Sequence, residues 1–146
     1  MKKIYFMLAA VVMLLSGCDI HTTEIVKPGV DMFTDYIDAY AGDWKRPSKI
    51  KVGEPGFYVY QEFGFKEITN KVLREGAVMV YLVDGDNRDN ALPYVFPVDN
   101  GRNIIMQNIR FEVEKGILTL VIEWQDFDLY DQQDMRFKVC ILSPGD

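Results

Sequence analysis

From Phe57 to Leu142 the chain is cut into short runs of alternating or β-branched residues, punctuated by turn signals at near-regular spacing. That rhythm constrains the fold more than any other feature. Phe57-Tyr58-Val59-Tyr60-Gln61-Glu62-Phe63 is aromatic and β-branched, and Ala77 to Val83 is a hydrophobic run. Asp84-Gly85-Asp86-Asn87-Arg88-Asp89-Asn90 is a turn cluster. Leu92 to Val98 carries Pro93 and Pro97, which cannot donate ladder bonds and so favour an edge or a bulge. Asn100-Gly101 is a hairpin turn, because both residues tolerate positive φ. It leads into Asn103 to Glu114, and Lys115-Gly116 turns into Ile117 to Trp124. There Leu118, Leu120, Ile122 and Trp124 alternate with Ile117, Thr119, Val121 and Glu123, as a strand with two unlike faces requires. Asp126 to Asp134 is an acidic loop, and Met135 to Leu142 closes the series.

Two segments read less simply. In Asp31 to Ala41, Met32, Phe33, Tyr36, Ile37 and Tyr40 have helical spacing, yet the same run can alternate; it is read as a strand. Ile68 to Gly76 places Ile68 and Val72 at i,i+4 and closes on Gly76. One short helical segment near 68–75, with a glycine C-cap, is the expectation. Seven or eight short strands with little helix predict an all-β fold, an antiparallel β-sandwich of immunoglobulin-like or jelly-roll-like kind. An up-and-down barrel is the alternative.

The N-terminus carries an address. Lys2 and Lys3 precede an uncharged stretch, Ile4 through Leu15. That is about a dozen residues, within the roughly 7–15 of a signal-peptide apolar region. As a helix it would reach only about 18 Å, against a bilayer core of roughly 30 Å. Leu15-Ser16-Gly17-Cys18 then resembles the lipobox of bacterial lipoproteins. The resemblance implies cleavage between Gly17 and Cys18, a diacylglycerol thioether on the Cys18 thiol, and acylation of the freed amine by a palmitate-type chain. Several chains anchor far more firmly than one, since each buried methylene contributes about 0.8 kcal/mol. Residues 1–17 are therefore expected to be a lipoprotein signal peptide. Residues 18–30 are polar, contain Pro28-Gly29 and read as a tether. Residues 31–146 read as a single domain.

Losing 17 of 146 residues leaves 129, enough for one self-sufficient core. The leader takes two of the 16 basic residues and none of the 22 acidic ones, leaving 14 against 22, a formal charge of −8. An acidic surface excludes a nucleic-acid partner and a polybasic grip on anionic lipid. The expected membrane contact is the lipid on Cys18 itself. With Cys18 acylated, Cys140 has no cysteine to pair with, and its apolar run, Phe137 to Leu142, predicts a buried, inert thiol.

Trp44, Gly56 to Phe63, Glu67-Ile68-Thr69, Val72, Gly76 to Leu82, Leu92-Pro93-Tyr94, Asp126-Phe127-Asp128 and Phe137-Lys138-Val139 follow one order. The order resembles small β-rich lipoprotein domains of Gram-negative bacteria, some of which carry a collagen-like glycine repeat before the domain. The likeness covers about residues 43–142. This chain has no such repeat, and Lys66 stands where a proline is common. The resemblance implies a β-rich fold in the cell envelope, on the outer membrane, and brings no activity with it.

Catalytic chemistry finds little material. The single histidine, His21, lies three residues from Cys18, in the tether. Past the leader the serines are Ser48 and Ser143, with no G-x-S-x-G elbow, and no Ser-His-Asp, Cys-His or zinc-type spacing can be assembled. Carboxylate chemistry has nominal candidates in Glu62, Glu67, Asp126 and Asp128, which keeps a glycan hydrolase as a minor alternative. No catalytic residue is assigned, and no motif calls for a cofactor.

Asp84, Asp86 and Asp89, with Asn87 and Asn90, offer hard oxygen ligands suited to calcium. An EF-type loop wants oxygen at the fifth position and glycine at the sixth, where this chain has Arg88 and Asp89. The same residues are what any turn requires. Asp126, Asp128, Asp131 and Asp134 make a second acidic loop, read as a solvated surface. Tyr58, Tyr60, Tyr94, Trp124, Phe127 and Tyr130 suit a stacking platform for a sugar ring, although core packing and cross-strand pairing explain the same pattern. Tyr130 and Phe127, in a polar loop, are the aromatics a core explains least, so with Tyr94 they are the ligand-contact candidates. Gly42-Asp43-Trp44 resembles the G-x-W signature of lipocalins, which makes a small-ligand carrier the second alternative. The expectation is a lipid-anchored, non-catalytic binding or structural module for a protein or glycan partner.

Overall fold

The computed structural model describes residues 29–145. The expected signal peptide, the Cys18 lipidation site, His21 and nearly all of the tether lie outside the described residues. The elements in chain order are β1 (Val30–Ala39), a 3-10 turn (Ala41–Asp43), β2 (Tyr58–Gly64), α1 (Asn70–Glu75), β3 (Ala77–Val83), β4 (Asp89–Ala91), β5 (Tyr94–Asp99), β6 (Ile104–Glu114), β7 (Ile117–Trp124) and β8 (Met135–Pro144).

The strands make two four-stranded antiparallel sheets, ordered β1-β8-β3-β4 and β2-β7-β6-β5. The fold is the all-β sandwich that the turn rhythm implies. Four edge strands remain, so the open sheets are not a closed barrel. The immunoglobulin order, with strands 1-2-5-4 facing 3-6-7, is not observed. Instead the first strand pairs with the last and the second with the next to last, the nesting of a folded-over double hairpin. The ambiguous 31–41 segment is strand throughout β1, which spans Val30↔Pro144 to Ala39↔Met135 along β8. Pairing settles what spacing could not.

Alternation decides which side of each strand is buried. Leu118, Leu120, Ile122 and Trp124 of β7 face the opposite sheet, where Phe137, Val139 and Ile141 of β8 meet them; all seven are buried. Val59, Val80 and Ile109 complete the layer, and Phe65, Ile68 and Val72 close one end of the sandwich. Each such side chain contributes on the order of 2 kcal/mol by leaving water. Cys140 is free and buried, as its apolar run implies.

Several boundaries differ from those read in the sequence. Val30, assigned to the tether, already pairs in β1 because Pro144 lies opposite it. Asp89 and Asn90, assigned to the turn cluster, form β4 against Val83 and Leu82. The Leu92–Val98 run begins its ladder at Tyr94, and Pro97 is accommodated because β5 is an edge. The helical segment is the six residues of α1, capped where the Thr69 hydroxyl accepts from the Val72 N–H at 3.2 Å. Gly76 ends it without the left-handed conformation expected of a glycine cap: its φ is −105°. Glycine is needed there for space, since a Cβ would lie 2.1 Å from the Leu142 carbonyl oxygen.

Candidate functional site

The outer face of the β2-β7-β6 sheet carries a groove of about 450 Å3. Its floor follows from alternation. Tyr58, Tyr60 and Glu62 point away from the core on β2, opposite Glu123, Val121 and Thr119 of β7. Asn108, Arg110 and Glu112 continue those rows on β6. Its wall is the segment Pro47 to Ile50, which runs across the face. Lys45 places that strap, exchanging backbone hydrogen bonds with Tyr60 at 2.8 and 2.9 Å in an isolated bridge. Farther along, Gly53 N–H donates to the Phe127 carbonyl at 2.9 Å, which ties the strap to the loop after β7. Val121, an outward-facing position between Tyr60 and Arg110 on the groove floor, is nonetheless 1 % exposed.

The groove is lined by alternating rings and charges. Tyr58 and Tyr60, both half-buried, lie with ring centroids 6.0 Å apart and planes tilted by 53°. The Lys45 ammonium donates to Glu62 Oε2 at 2.8 Å and stands 5.9 Å from the Tyr60 ring centre. The hydrogen bond to Glu62 raises the Lys45 pKa above its ordinary value. Arg110 donates from Nε and Nη2 to Glu123 Oε1, at 3.1 and 2.9 Å, and from Nη1 to Glu112. Burial works to lower the Arg110 pKa, and its hydrogen bonds to Glu112 and Glu123 more than offset it, leaving the guanidinium raised. Asn108 donates to Glu123 Oε2 at 3.4 Å, while its own Oδ1 is buried without a partner. The arrangement is a partly apolar, partly charged surface with ring faces and carboxylate acceptors side by side.

The residues singled out in the sequence are distributed differently. Tyr94 stacks on Phe96 at 5.2 Å, along the edge strand β5. Tyr130 meets Trp124 edge-on at 5.7 Å, donates its hydroxyl to Asp126 and accepts from Asn100 Nδ2 at 3.1 Å. The bond to Asp126 raises the Tyr130 pKa. Phe127 has φ 59° and lines a small hollow beside Trp124 and Gly56. Those contacts tie the 126–130 loop to the sandwich, and none joins Tyr94 to the other two. Trp124 is buried and leaves the stacking platform; Tyr58 and Tyr60 remain on it. Glu62 lies in the groove, Glu67 pairs with Lys66 at the end of the sandwich closed by Phe65, and Asp126 and Asp128 sit past β7 at the other end.

Asp84, Asp86 and Asp89, offered by the sequence either as calcium ligands or as turn residues, are engaged within the chain. Asp84 Oδ1 accepts from the N–H groups of Asp86 and Arg88 at 3.0 and 2.9 Å, and its Oδ2 takes Arg88 Nε at 3.0 Å. Asp86 pairs with Arg88 Nη2 at 2.9 Å, and Asp89 with Lys138 across to β8. The three carboxylates therefore point at cations of the chain. Among the described residues no group of three or more His, Cys, Asp and Glu is placed to hold a metal ion.

Lys45, Arg110, Glu112 and the strap were invisible to motif reading. One signal was available: Arg110, Glu112 and Glu114 alternate with Phe111 and Val113, which marks a charged outer face on that strand. The fold and groove define a β-sandwich with an open, charged aromatic surface. A scan against protein-family models, a search of curated proteins and a search of solved structures each returned no match.

Proposed function

We propose that this chain is a lipid-anchored protein of the cell envelope, held through Cys18, and that its sandwich is a non-catalytic module binding a glycan in the strap-walled groove. The observation that carries the binding role is the tyrosine pair on the outer sheet face, flanked by Glu62 and Glu112. Flat rings suit the C–H faces of a sugar and carboxylates suit its hydroxyls, while Lys45 and Arg110 hold both acids in place. Tethering to a membrane raises the effective concentration of a weak binding face, so modest affinity suffices when copies cluster. The likeness to small envelope lipoprotein domains supports the anchoring alone, since it brings no activity with it.

The test has two arms. Cys18→Ser is expected to move the protein from the membrane to the soluble fraction; a variant that still fractionates with membranes defeats the anchoring. A glycan array probed with the lipid-anchored protein is expected to show binding that Tyr60→Ala weakens about ten-fold, the scale of one lost ring contact. Absence of binding to every sugar defeats the glycan reading.

A further inference from the structure

The described chain begins at one end of the sandwich, and that end differs from the other in its charge balance. Gly29 accepts a hydrogen bond from the Gly145 N–H at 2.6 Å, and β1, β8 and β3 meet there at Val30, Pro144 and Ala77. Helix α1 delivers the chain to Ala77, and the Lys115-Gly116 turn joins the same end through bonds to Phe65 and Ile68. Large apolar side chains are open to solvent at this corner, where Met32 is 68 %, Val30 66 % and Leu73 42 % exposed; the other sheet exposes Ile104 and Met106 at the opposite end. On the outer face of the β1-β8-β3 sheet, the register aligns Met32, Leu142 and Ala77 in one row, then Thr34, Cys140 and Met79. Tyr36, Lys138 and Tyr81 follow in a row of their own, and Asp38, Arg136 and Val83 come last. Apolar side chains thus give way to tyrosine with lysine, and then to ion pairs, with distance from Gly29. That sequence matches the order of environments from acyl chain to headgroup to water.

Charge follows the same axis. At the Gly29 end Lys66, Lys71, Arg74 and Lys115 are matched by Asp31, Glu67, Glu75 and Glu114. The far end holds Asp84, Asp86, Asp99, Asp126, Asp128, Asp131 and Asp134 against Arg88, Arg102 and Arg136, a net acidic balance, and Asp84, Asp131, Asp134 and Arg136 line one hollow there with Gln107 and Gln132. An anionic surface repels the far end and tolerates the near one. Ten residues lie between Cys18 and Gly29, eleven steps of chain with a reach of at most about 40 Å. That reach equals the length of the sandwich, so what favours the near end is that the tether enters the domain there and that its charges balance.

We propose that the corner formed by Val30, Met32, Leu73, Ala77 and Leu142 is a membrane-docking surface, which holds the sandwich end-on against the bilayer with the acidic loops pointing away. This orientation rests on the anchoring through Cys18 proposed above. It leaves the groove beside Tyr58 and Tyr60 open to the side, along a face that the bilayer does not cover.

The test uses the full lipidated protein on vesicles of phosphatidylcholine and phosphatidylglycerol that contain a headgroup nitroxide lipid. A fluorophore is placed at Glu75→Cys or at Asp86→Cys, in a Cys140→Ala background. The expected result is flotation of both proteins with vesicles and about three-fold stronger quenching at position 75, because an interfacial surface lies within about 10 Å of the headgroups. Replacing Met32 and Leu73 by Glu is expected to equalise the two signals while flotation persists. A protein that does not float overturns the anchoring and the orientation with it. One that floats with equal quenching at both positions overturns the orientation alone. So does a protein that floats as a dimer with position 75 shielded from nitroxide, which would assign the corner to a second copy.

Discussion

Lys45 and Tyr60 exchange both of their backbone hydrogen bonds, at 2.8 and 2.9 Å, across a bridge that belongs to no strand ladder. The same lysine's ammonium reaches past the tyrosine ring to Glu62. One residue thus fixes the strap by its backbone and orders the groove's acid by its side chain.

Lys45→Pro removes the donor to the Tyr60 carbonyl and the cation beside Glu62 together. Amide exchange over 46–51 is expected to accelerate about ten-fold or more, with the β8 amides unchanged, since the strap would open locally without global unfolding. Lys45→Ala keeps the N–H and is expected to leave exchange near that of the parent. Native-state hydrogen exchange distinguishes the two. Equal rates in all three proteins would show that the bridge does not hold the strap.

Phe137 stands between the sheets with no exposed surface, in a row with Ile37 and Leu82. Phe137→Ala is expected to cost about 3–5 kcal/mol, the transfer loss plus the cavity left behind. Met32→Ala on β1 is expected to change stability by under about 0.5 kcal/mol, because the side chain is mostly in water. Urea unfolding of both variants checks the pair, with an unchanged m-value as the sign that the unfolded state is the same.

The sandwich was legible because alternation is a local property. Leu118 to Trp124 already states which side of β7 is buried, and the Lys115-Gly116 and Asn100-Gly101 turns fix β6 beside it and β5 beside β6. The 45–57 segment has no period, so nothing local says that Lys45 pairs with Tyr60 fifteen residues on. Val121 shows the same limit: its parity is outward, and neighbours that local alternation does not weigh leave it 1 % exposed. Asp84 was ambiguous for a related reason. A carboxylate followed by glycine and more Asx reads equally as a calcium loop or as a side chain satisfying its own turn, and Arg88 at i+4 decides for the turn.

Asp84 also makes the 84–88 turn pH-sensitive. The backbone N–H of Arg88 is the main group holding its carboxyl below the ordinary value of 3.8, with the Asp86 N–H and the Arg88 side chain adding to it. A depressed folded-state pKa means that the contribution is present above the unfolded value and is lost as pH falls through the folded one. The turn is therefore expected to stay intact at pH 5 and to loosen below about 3.8. Amide chemical shifts of Asp86 and Arg88 followed by NMR should titrate together, below the value of an unstructured aspartate. Titration at or above it would mean that the Asp84 cap does not form. Asp84→Asn is expected to remove the transition.

Gly76 offers the sharpest contrast between conformation and space. Its φ of −105° is available to any residue, so alanine there would meet no backbone strain. The added methyl would lie 2.1 Å from the Leu142 carbonyl oxygen and 3.0 Å from Val72 backbone atoms, none of which is the end of a flexible side chain. Relief requires α1 to move from β8, or β3 from β8 where Ala77 pairs with Leu142. Gly76→Ala is therefore expected to destabilise by about 1–3 kcal/mol, like other overpacked sites. Gly42 is open to within 4 Å, and Gly42→Ala is expected to be neutral or to stabilise by under about 1 kcal/mol. Thermal unfolding of the two variants side by side checks this. Equal midpoints would mean that β8 yields at Leu142 without cost, and that the close approach does not set the identity of residue 76.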